Sequence, residues 1–279
     1  MITTRKAEMK DLDDLLAIEE SAIPGYGYMY DDRFFFLENQ GNTGEMTIAY
    51  VDGVPAGMGQ YSVMPDGSGW LEILRVKKEY QKMGVGTEIY KEYMRLADET
   101  GAQSVAMFTG RRNIGSKHLA ENYGFHLAAA MVEYYIEPKE AEEVTGFRVV
   151  EDPAEATALI SRNQASWGRF MAMNRTFMHY GEDLYRYLTE RKMVYTDGES
   201  VIVLGCRMLE HRGWFIGYMD GDLDKCLAFA KYAVKEKGLP RLTISIPPER
   251  EDLKALLLDH GYTEAGELIV MEWERNAQK

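Results

Sequence analysis

One stretch constrains the fold more than any other. It runs Leu71-Glu72-Ile73-Leu74-Arg75-Val76, then Lys77-Lys78-Glu79-Tyr80-Gln81-Lys82-Met83-Gly84-Val85-Gly86-Thr87. The part up to Val76 reads as a strand, and from Val85 apolar residues recur at helical spacing to about residue 100. Two glycines, two positions apart, lie at the junction. A strand that feeds a helix through such a loop aims several N–H groups at one point, in line with the positive end of the helix dipole. Without Cβ atoms, Gly84 and Gly86 let a bulky anion approach the main chain. A pyrophosphate suits this arrangement. The two common nucleotide signatures do not describe it. The pattern G-x-x-x-x-G-K-[ST] is absent, and a Rossmann G-x-G-x-x-G would need glycine where Ile89 stands.

The flanking sequence alternates strand and helix signals. A strand is predicted over 2–7, and a helix over 10–20 with Leu12, Leu15, Leu16 and Ile18 at helical spacing. A second helical stretch over 29–39 carries Phe34, Phe35 and Phe36. Strands over 46–51 and 56–63 flank Asp52-Gly53, a hairpin signal because both residues tolerate positive φ. Gly101 closes the helix begun at Val85; a strand over 104–108, a helix over 113–122 ended by Gly124, and a strand over 128–136 follow. Residues 138–146 are polar and acidic and read as a linker. The same order then restarts: strand 147–150, helix 153–162, a helical stretch 165–191 rich in Met and aromatics, strands 194–205 and 214–219, helix 222–237, strand 242–246, helix 250–260 and strand 268–273. Gly238 and Gly261 repeat the spacing of Gly101 and Gly124, and an aromatic follows each second glycine, Phe125 and Tyr262. This predicts an internal duplication. The expected fold class is α/β (α+β layered), with two tandem folds over 1–138 and 146–279, each a mixed central sheet flanked by helices.

Composition narrows the function. The 279 residues, 46% of them hydrophobic, suffice for two globular cores. A net charge of −13 with no basic run argues against nucleic acid as a partner. The N-terminal MITTRKAEMKD lacks the apolar core of a secretory signal, and no run approaches the roughly 18 apolar residues of a membrane span. A cytoplasmic location without a membrane partner is therefore expected. Cys206 and Cys226 are isolated and read as buried free thiols. The five histidines form no H-x-x-x-H pair, so no metal is expected.

Gln81-Lys82-Met83-Gly84-Val85-Gly86 resembles the Q/R-x-x-G-x-G/A motif of the GCN5-related N-acetyltransferase (GNAT) superfamily. The strand ending in Arg75-Val76, the Glu79-Tyr80 lead-in and the position of the Asp52-Gly53 hairpin also match. Asn113-x-x-Ser116-x-x-Leu119, running to Gly124-Phe125, is similar to the family's second cofactor motif. The similarity spans residues 2 to about 136. The second half lacks the motif and looks like a degenerate copy that has lost the cofactor, because only Asp220-Gly221 separate its strand from its helix.

The resemblance implies acetyl-CoA as cosubstrate and an amine as acceptor, here a primary amine of a small molecule. It assigns the backbone of Leu74 and Val76 to the pantetheine arm. Gln81, Lys82, Met83, Gly84, Val85, Gly86 and Thr87 would hold the pyrophosphate, with Lys82 either adding charge there or simply solvated. Asn113 and Ser116 would meet the pantetheine or adenine end, and Asn113 would also cap its helix. Glu72 is the candidate base, or else an ordinary strand glutamate. By strand periodicity it shares a face with Val76, four residues on. The family's thiolate-protonating tyrosine follows the leucine of the second motif, where this chain has Ala120. Tyr123 stands one turn later, as a substitute acid or as a packing residue. Aromatics and acids over 24–36, including Asp31 and Asp32, suit an amine acceptor site or a packing face. Oligomeric state is not legible. The alternative to an enzyme is a non-catalytic acetyl-CoA-sensing or interaction module.

Overall fold

The computed structural model describes residues 1–25, 37 and 44–275. The helical stretch expected over 29–39, with Asp31, Asp32 and the three phenylalanines, lies outside the described residues except for Leu37. The chain packs as two compact units that are not contiguous halves. The first takes Met1–Met107, Ile114–His126 and the C-terminal segment from Met271; the second takes Phe108–Asn113 and Leu127–Val270.

The first unit contains β1 (Ile2–Lys6), α1 (Leu12–Ala22), β2 (Gly44–Val51), β3 (Val54–Val63), β4 (Gly69–Val76), α2 (Val85–Thr100), the start of β5 (Ser104–Gly110) and α3 (Ile114–Glu121). Strands β1 to β4 form an antiparallel meander, and β4 pairs with β5 in parallel. Asp52 at φ 49° and Gly53 at φ 83° make the tight β2–β3 turn that the sequence foretells. Helix α2 buries Val85, Ile89, Tyr90, Tyr93, Leu96 and Ala97, one stripe at 3.6-residue spacing. It lies directly on β3 because two positions there carry no side chain. A Cβ on Gly57 would stand 2.7 Å from Val85 Cγ1, and one on Gly59 only 2.0 Å from Tyr93 Oη. The C-terminal segment is tied to α2 as well, with Arg275 bonded to Asp98 and to the carbonyls of Ala97 and Ala102.

The second unit holds most of β6 (His126–Ile136), then β7 (Arg148–Val149), α4 (Pro153–Ile160), β8 (Phe170–Met173), β9 (Thr176–His179), α5 (Glu182–Glu190), β10 (Val194–Thr196), β11 (Val201–Gly205), β12 (Trp214–Asp220), α6 (Leu223–Glu236), β13 (Leu242–Ile246), α7 (Glu251–Asp259) and most of β14 (Thr263–Glu274). Its sheet runs β6-β13-β12-β11-β10-β7, mixed because β12 and β13 are parallel while the other pairs that flank them are antiparallel. The duplication read from glycine spacing has a structural counterpart. Gly101, Gly124, Gly238 and Gly261 all sit at left-handed φ, between 66° and 82°, just after a helix. The register shifts in the same place twice, between β3 and β4 and between β11 and β12. Both cysteines are buried and free, and burial pushes their thiols up to about 11 for Cys206 and about 12 for Cys226.

Two expectations fail here. The stretch 165–191 is not one helix. It holds a 3-10 turn at Gln164–Trp167, the β8–β9 hairpin and the shorter helix α5. Asn174 and Arg175 at the hairpin tip both adopt left-handed φ, 54° and 53°, the geometry of a tight two-residue turn. Tertiary contacts hold it. Asn174 Oδ1 accepts from Arg207 N at 2.6 Å, and the Arg175 guanidinium forks onto the buried Glu133 carboxylate. The stretch 194–205 is likewise two strands, separated by a turn in which Asp197 accepts from the N–H groups of Glu199 and Ser200.

Candidate active site

The end of β4 is built to stand apart from its parallel neighbour. The two strands pair from Gly69 opposite Val105 to Leu71 opposite Met107, and no ladder between them continues beyond this among the described residues. On its other edge β4 is paired with β3 along its length, but the register slips. Gln60 faces Glu72, whereas Met58 faces Arg75 and Gly57 faces Val76. The extra residue is taken up at Ile73, whose φ of 57° is a left-handed conformation that a β-branched residue rarely adopts. This bulge corrects the periodicity argument. Glu72 and Arg75 share a face, and Val76 lies with Gly57 on the face covered by α2. Alternation cannot survive an inserted residue.

The loop leaving β4 makes a 3-10 turn at Lys78–Tyr80, then passes through Gln81 in extended conformation and Lys82 at φ 64°. Gly84, at φ 93° and ψ 0°, is the N-cap of α2. No side chain caps this helix among the described residues. The first-turn N–H groups of an α-helix have no intrahelical partner, so Val85, Gly86 and Thr87 present them outward beside the positive end of a 16-residue helix. Lys78 and Lys82 are exposed in the same loop of a chain with net charge −13. Gln81 Nε2 donates back to Val76 O at 3.2 Å, and Arg75 Nη1 to Leu74 O at 2.9 Å. The two glycines do different work. Gly84 meets a demand for left-handed backbone, whereas a Cβ on Gly86 would come within 3.1 Å of Leu119 Cδ2 on α3. Met83 is exposed, and Val85 is buried under the helix.

Around Glu72 the sheet face is polar. Ser62 Oγ donates to Glu72 Oε1 at 2.6 Å, and Tyr93 Oη donates to the Glu72 carbonyl at 3.2 Å. Gln60, directly across from Glu72, is fully buried; its Nε2 donates to Tyr61 O at 2.6 Å and to Ser62 Oγ at 3.4 Å. Its Oε1 accepts no hydrogen bond among the described residues. Because a carbonyl can only accept, the atom near Tyr61 O must be the amide nitrogen, which fixes the side-chain orientation. Sequence reasoning missed Gln60 and Ser62. The available signal was a pair of polar residues two apart in an otherwise apolar strand.

On α3, Ala120 is fully buried and Ser116 half-buried. Asn113 precedes the helix and donates its N–H to Gly110 O at 2.9 Å. The Tyr123 ring stacks on Tyr90 at 5.0 Å, and its hydroxyl donates to Thr87 O at 2.7 Å. Burial raises its pKa, so the phenol stays protonated at neutral pH.

The corresponding place in the second unit is built differently. Strands β12 and β13 also pair over three residues, from Trp214 opposite Leu242 to Ile216 opposite Ile244. Beyond them, Trp167 Nε1 donates to Met219 O at 3.1 Å, and Met171 of β8 crowds Gly217, where a Cβ would lie 3.0 Å from Met171 Cγ. The helix that follows, α6, is capped by Asp222, whose carboxylate accepts from Lys225 N at 3.0 Å. A carboxylate thus occupies the end of the dipole that α2 leaves open. Among the described residues no three His, Cys, Asp or Glu side chains converge as a metal site, and no helix is long and apolar enough to cross a membrane.

A parallel strand pair that parts midway, a left-handed glycine and an uncapped helix start thus lie at one end of this sheet. Residues 13–125 match the model of the "Acetyltransferase (GNAT) family", and this stretch is a GNAT domain. The whole chain shares its fold with solved GNAT structures. A GCN5-related N-acetyltransferase from Sphaerobacter thermophilus is 12% identical with TM-score 0.66, over 98% of this chain and 95% of that one. A tandem GNAT protein from the clavulanic acid biosynthesis pathway is 11% identical with TM-score 0.62, over 98% of each chain. A GCN5-related glucosamine N-acetyltransferase region of a fungal multi-domain GH3 β-N-acetylglucosaminidase is 13% identical with TM-score 0.69, over 98% of this chain and 38% of that one. No curated protein matches the sequence.

Proposed function

We propose that the protein is an N-acetyltransferase that moves an acetyl group from acetyl-CoA to a primary amine of a small molecule. The observation that carries this reading is the uncapped start of α2 at Gly84, beside a β4 edge that has parted from β5. A diphosphate suits the N–H groups of Gln81 to Thr87, with Lys82 adding charge. The main chain at Leu74 and Val76 suits the pantetheine amides, since each carbonyl retains a second lone pair. Asn113 and Ser116 are assigned to the pantetheine or adenine end.

In the proposed reaction the amine nitrogen attacks the thioester carbonyl, the C–S bond breaks and the thiolate leaves. An alkylammonium has a pKa of about 10, so a base must take its proton before attack. Glu72 is assigned that role, directly or through water, with Ser62 fixing the carboxylate. Gln60 Oε1 is a second acceptor on the same face and suits an N–H donor of the substrate. Tyr123 is assigned as proton donor to the thiolate, which with a pKa of about 8.5 also leaves tolerably unaided.

Residues 1–138 would carry the acetyl-CoA fold and 146–279 a second copy without cofactor. Asp222 at the α6 start and Trp167 on the β12 edge support that division. The buried free thiols suit a reducing, cytoplasmic setting.

The test is thiol release from acetyl-CoA with polyamines, amino acids, aminoglycosides, peptide N-termini and amino sugars, the last because of the similarity to a glucosamine N-acetyltransferase region. Release with a small-molecule amine supports the enzyme. Ala120, buried where the family has its tyrosine, favours a second reading, a non-catalytic acetyl-CoA-sensing module. Tight acetyl-CoA binding with no release for any amine would establish that reading instead.

A further inference from the structure

A three-residue relay lies between α6 and α7, within the second unit. Asp224 and Lys231 are two helical turns apart on α6 and so share one stripe of it. His260, at the C-terminus of α7, reaches both. Its Nε2 lies 2.8 Å from Asp224 Oδ1, and its Nδ1 lies 3.2 Å from Lys231 Nζ. The partners fix the tautomer. The carboxylate can only accept, so Nε2 carries the hydrogen, and Nδ1 is left with a lone pair aimed at the lysine nitrogen. A nucleophile beside a base that is oriented by a third group is the arrangement that activates nucleophilic side chains in general. The lysine is half-buried, and burial lowers its ammonium below the ordinary value. Asp224 is largely exposed and His260 mostly covered, so the relay opens to solvent at its acidic end.

We propose that Lys231 is a modification site, N-acylated by an acyl thioester with His260 as base and Asp224 as its orienting group. The unprotonated Lys231 Nζ attacks the thioester carbonyl carbon and forms the C–N bond. His260 Nδ1 takes a proton from the nitrogen of the tetrahedral adduct, which is far more acidic than the starting ammonium. The C–S bond then breaks, the thiolate leaves and receives a proton from the imidazolium, and the products are an amide and a free thiol. No oxidant or metal is required. The amide carries no charge, so acylation removes the lysine's cationic contact with His260.

The full chain is incubated with acetyl-CoA and no added amine, and acetylation at each lysine is followed by peptide mass spectrometry. Lys231 is expected to label faster than the exposed Lys6 and Lys10. His260→Ala is expected to slow Lys231 alone by about tenfold or more, the low end of what general bases contribute. Asp224→Asn, at an exposed position that does not endanger folding, should slow it several-fold. Labelling no faster than at Lys6 and Lys10, or unchanged in both variants, overturns the proposal. So does loss of Lys231 labelling in Glu72→Gln, because the lysine would then be a substrate of the first unit. The relay does not depend on the first unit's proposed activity. Absence of thiol release across the amine panel, with Lys231 still labelled, would remove that activity and leave the relay standing.

Discussion

Ser62 holds the Glu72 carboxylate from one side while Tyr93 holds its peptide carbonyl from the other, so side chain and strand are located together. If Glu72 takes the acceptor's proton, Glu72→Gln should lower kcat about 100-fold near neutral pH. KM for acetyl-CoA should be unchanged, and the deficit should shrink as the pH nears about 10, where the amine sheds its proton unaided. Steady-state kinetics across pH decide this; a parallel pH profile for the variant would remove the assignment. Tyr123 is open to a sharper separation. Its hydrogen bond to Thr87 O is worth about 1 kcal/mol, a loss that urea unfolding of Tyr123→Phe would register. A proton donor should also cost kcat, and that cost should vanish with an acyl donor whose thiol has a lower pKa. A change in stability alone would mean that the hydroxyl only ties α3 to α2.

At the scale of elements, the seat of α2 on β3 determines where its open N-terminus points. Gly57 and Gly59 let the helix approach so closely that Tyr93 Oη meets the Glu72 carbonyl. Gly59→Ala would place a methyl 2.0 Å from Tyr93 Oη. The expected cost is about 1–3 kcal/mol from overpacking, measured as a shift in the urea midpoint at unchanged slope. Because the helix must lift, acetyl-CoA affinity should fall as well. A variant as stable and as tight-binding as the parent would show that the contact is slack. The bulge at Ile73 is the other element-level device. It turns the end of β4 away from the parity of its beginning, and burial of Ile73 holds a residue in backbone that it would otherwise avoid.

At the scale of the molecule, one pattern is built twice with different helix starts. Gly84 leaves α2 open, whereas Asp222 closes α6 with a carboxylate. Calorimetry should therefore find one coenzyme A bound per chain. Asp222→Ala should leave that number unchanged, because Trp167 still holds Met219 O on the β12 edge. Two equivalent sites would contradict the division of labour. Much of this plan is legible in the amino-acid sequence. Local chemistry governs a left-handed glycine after a helix, an Asp-Gly turn and a strand that meets a glycine loop, so Gly101, Gly124, Gly238, Gly261, Asp52-Gly53 and Gly84 can be read directly. The β8–β9 hairpin cannot, because a run such as Phe170-Met171-Ala172-Met173 suits helix and strand alike until Glu133 and Arg207 bind its tip.

The order of elements in the first unit outside residues 26–43 and the glycine loop that opens α2 follow from the sequence alone, because each depends on residues adjacent in the chain or one helical turn apart. Tertiary structure decided the bulge that moves Val76 off the face of Glu72, the hydrogen bond that engages Tyr123, the convergence of Gln60 and Ser62 on the candidate base, and the indole on the second unit's strand edge. Each of these is set by a partner distant in sequence or by cross-strand register, and neither has a local signature.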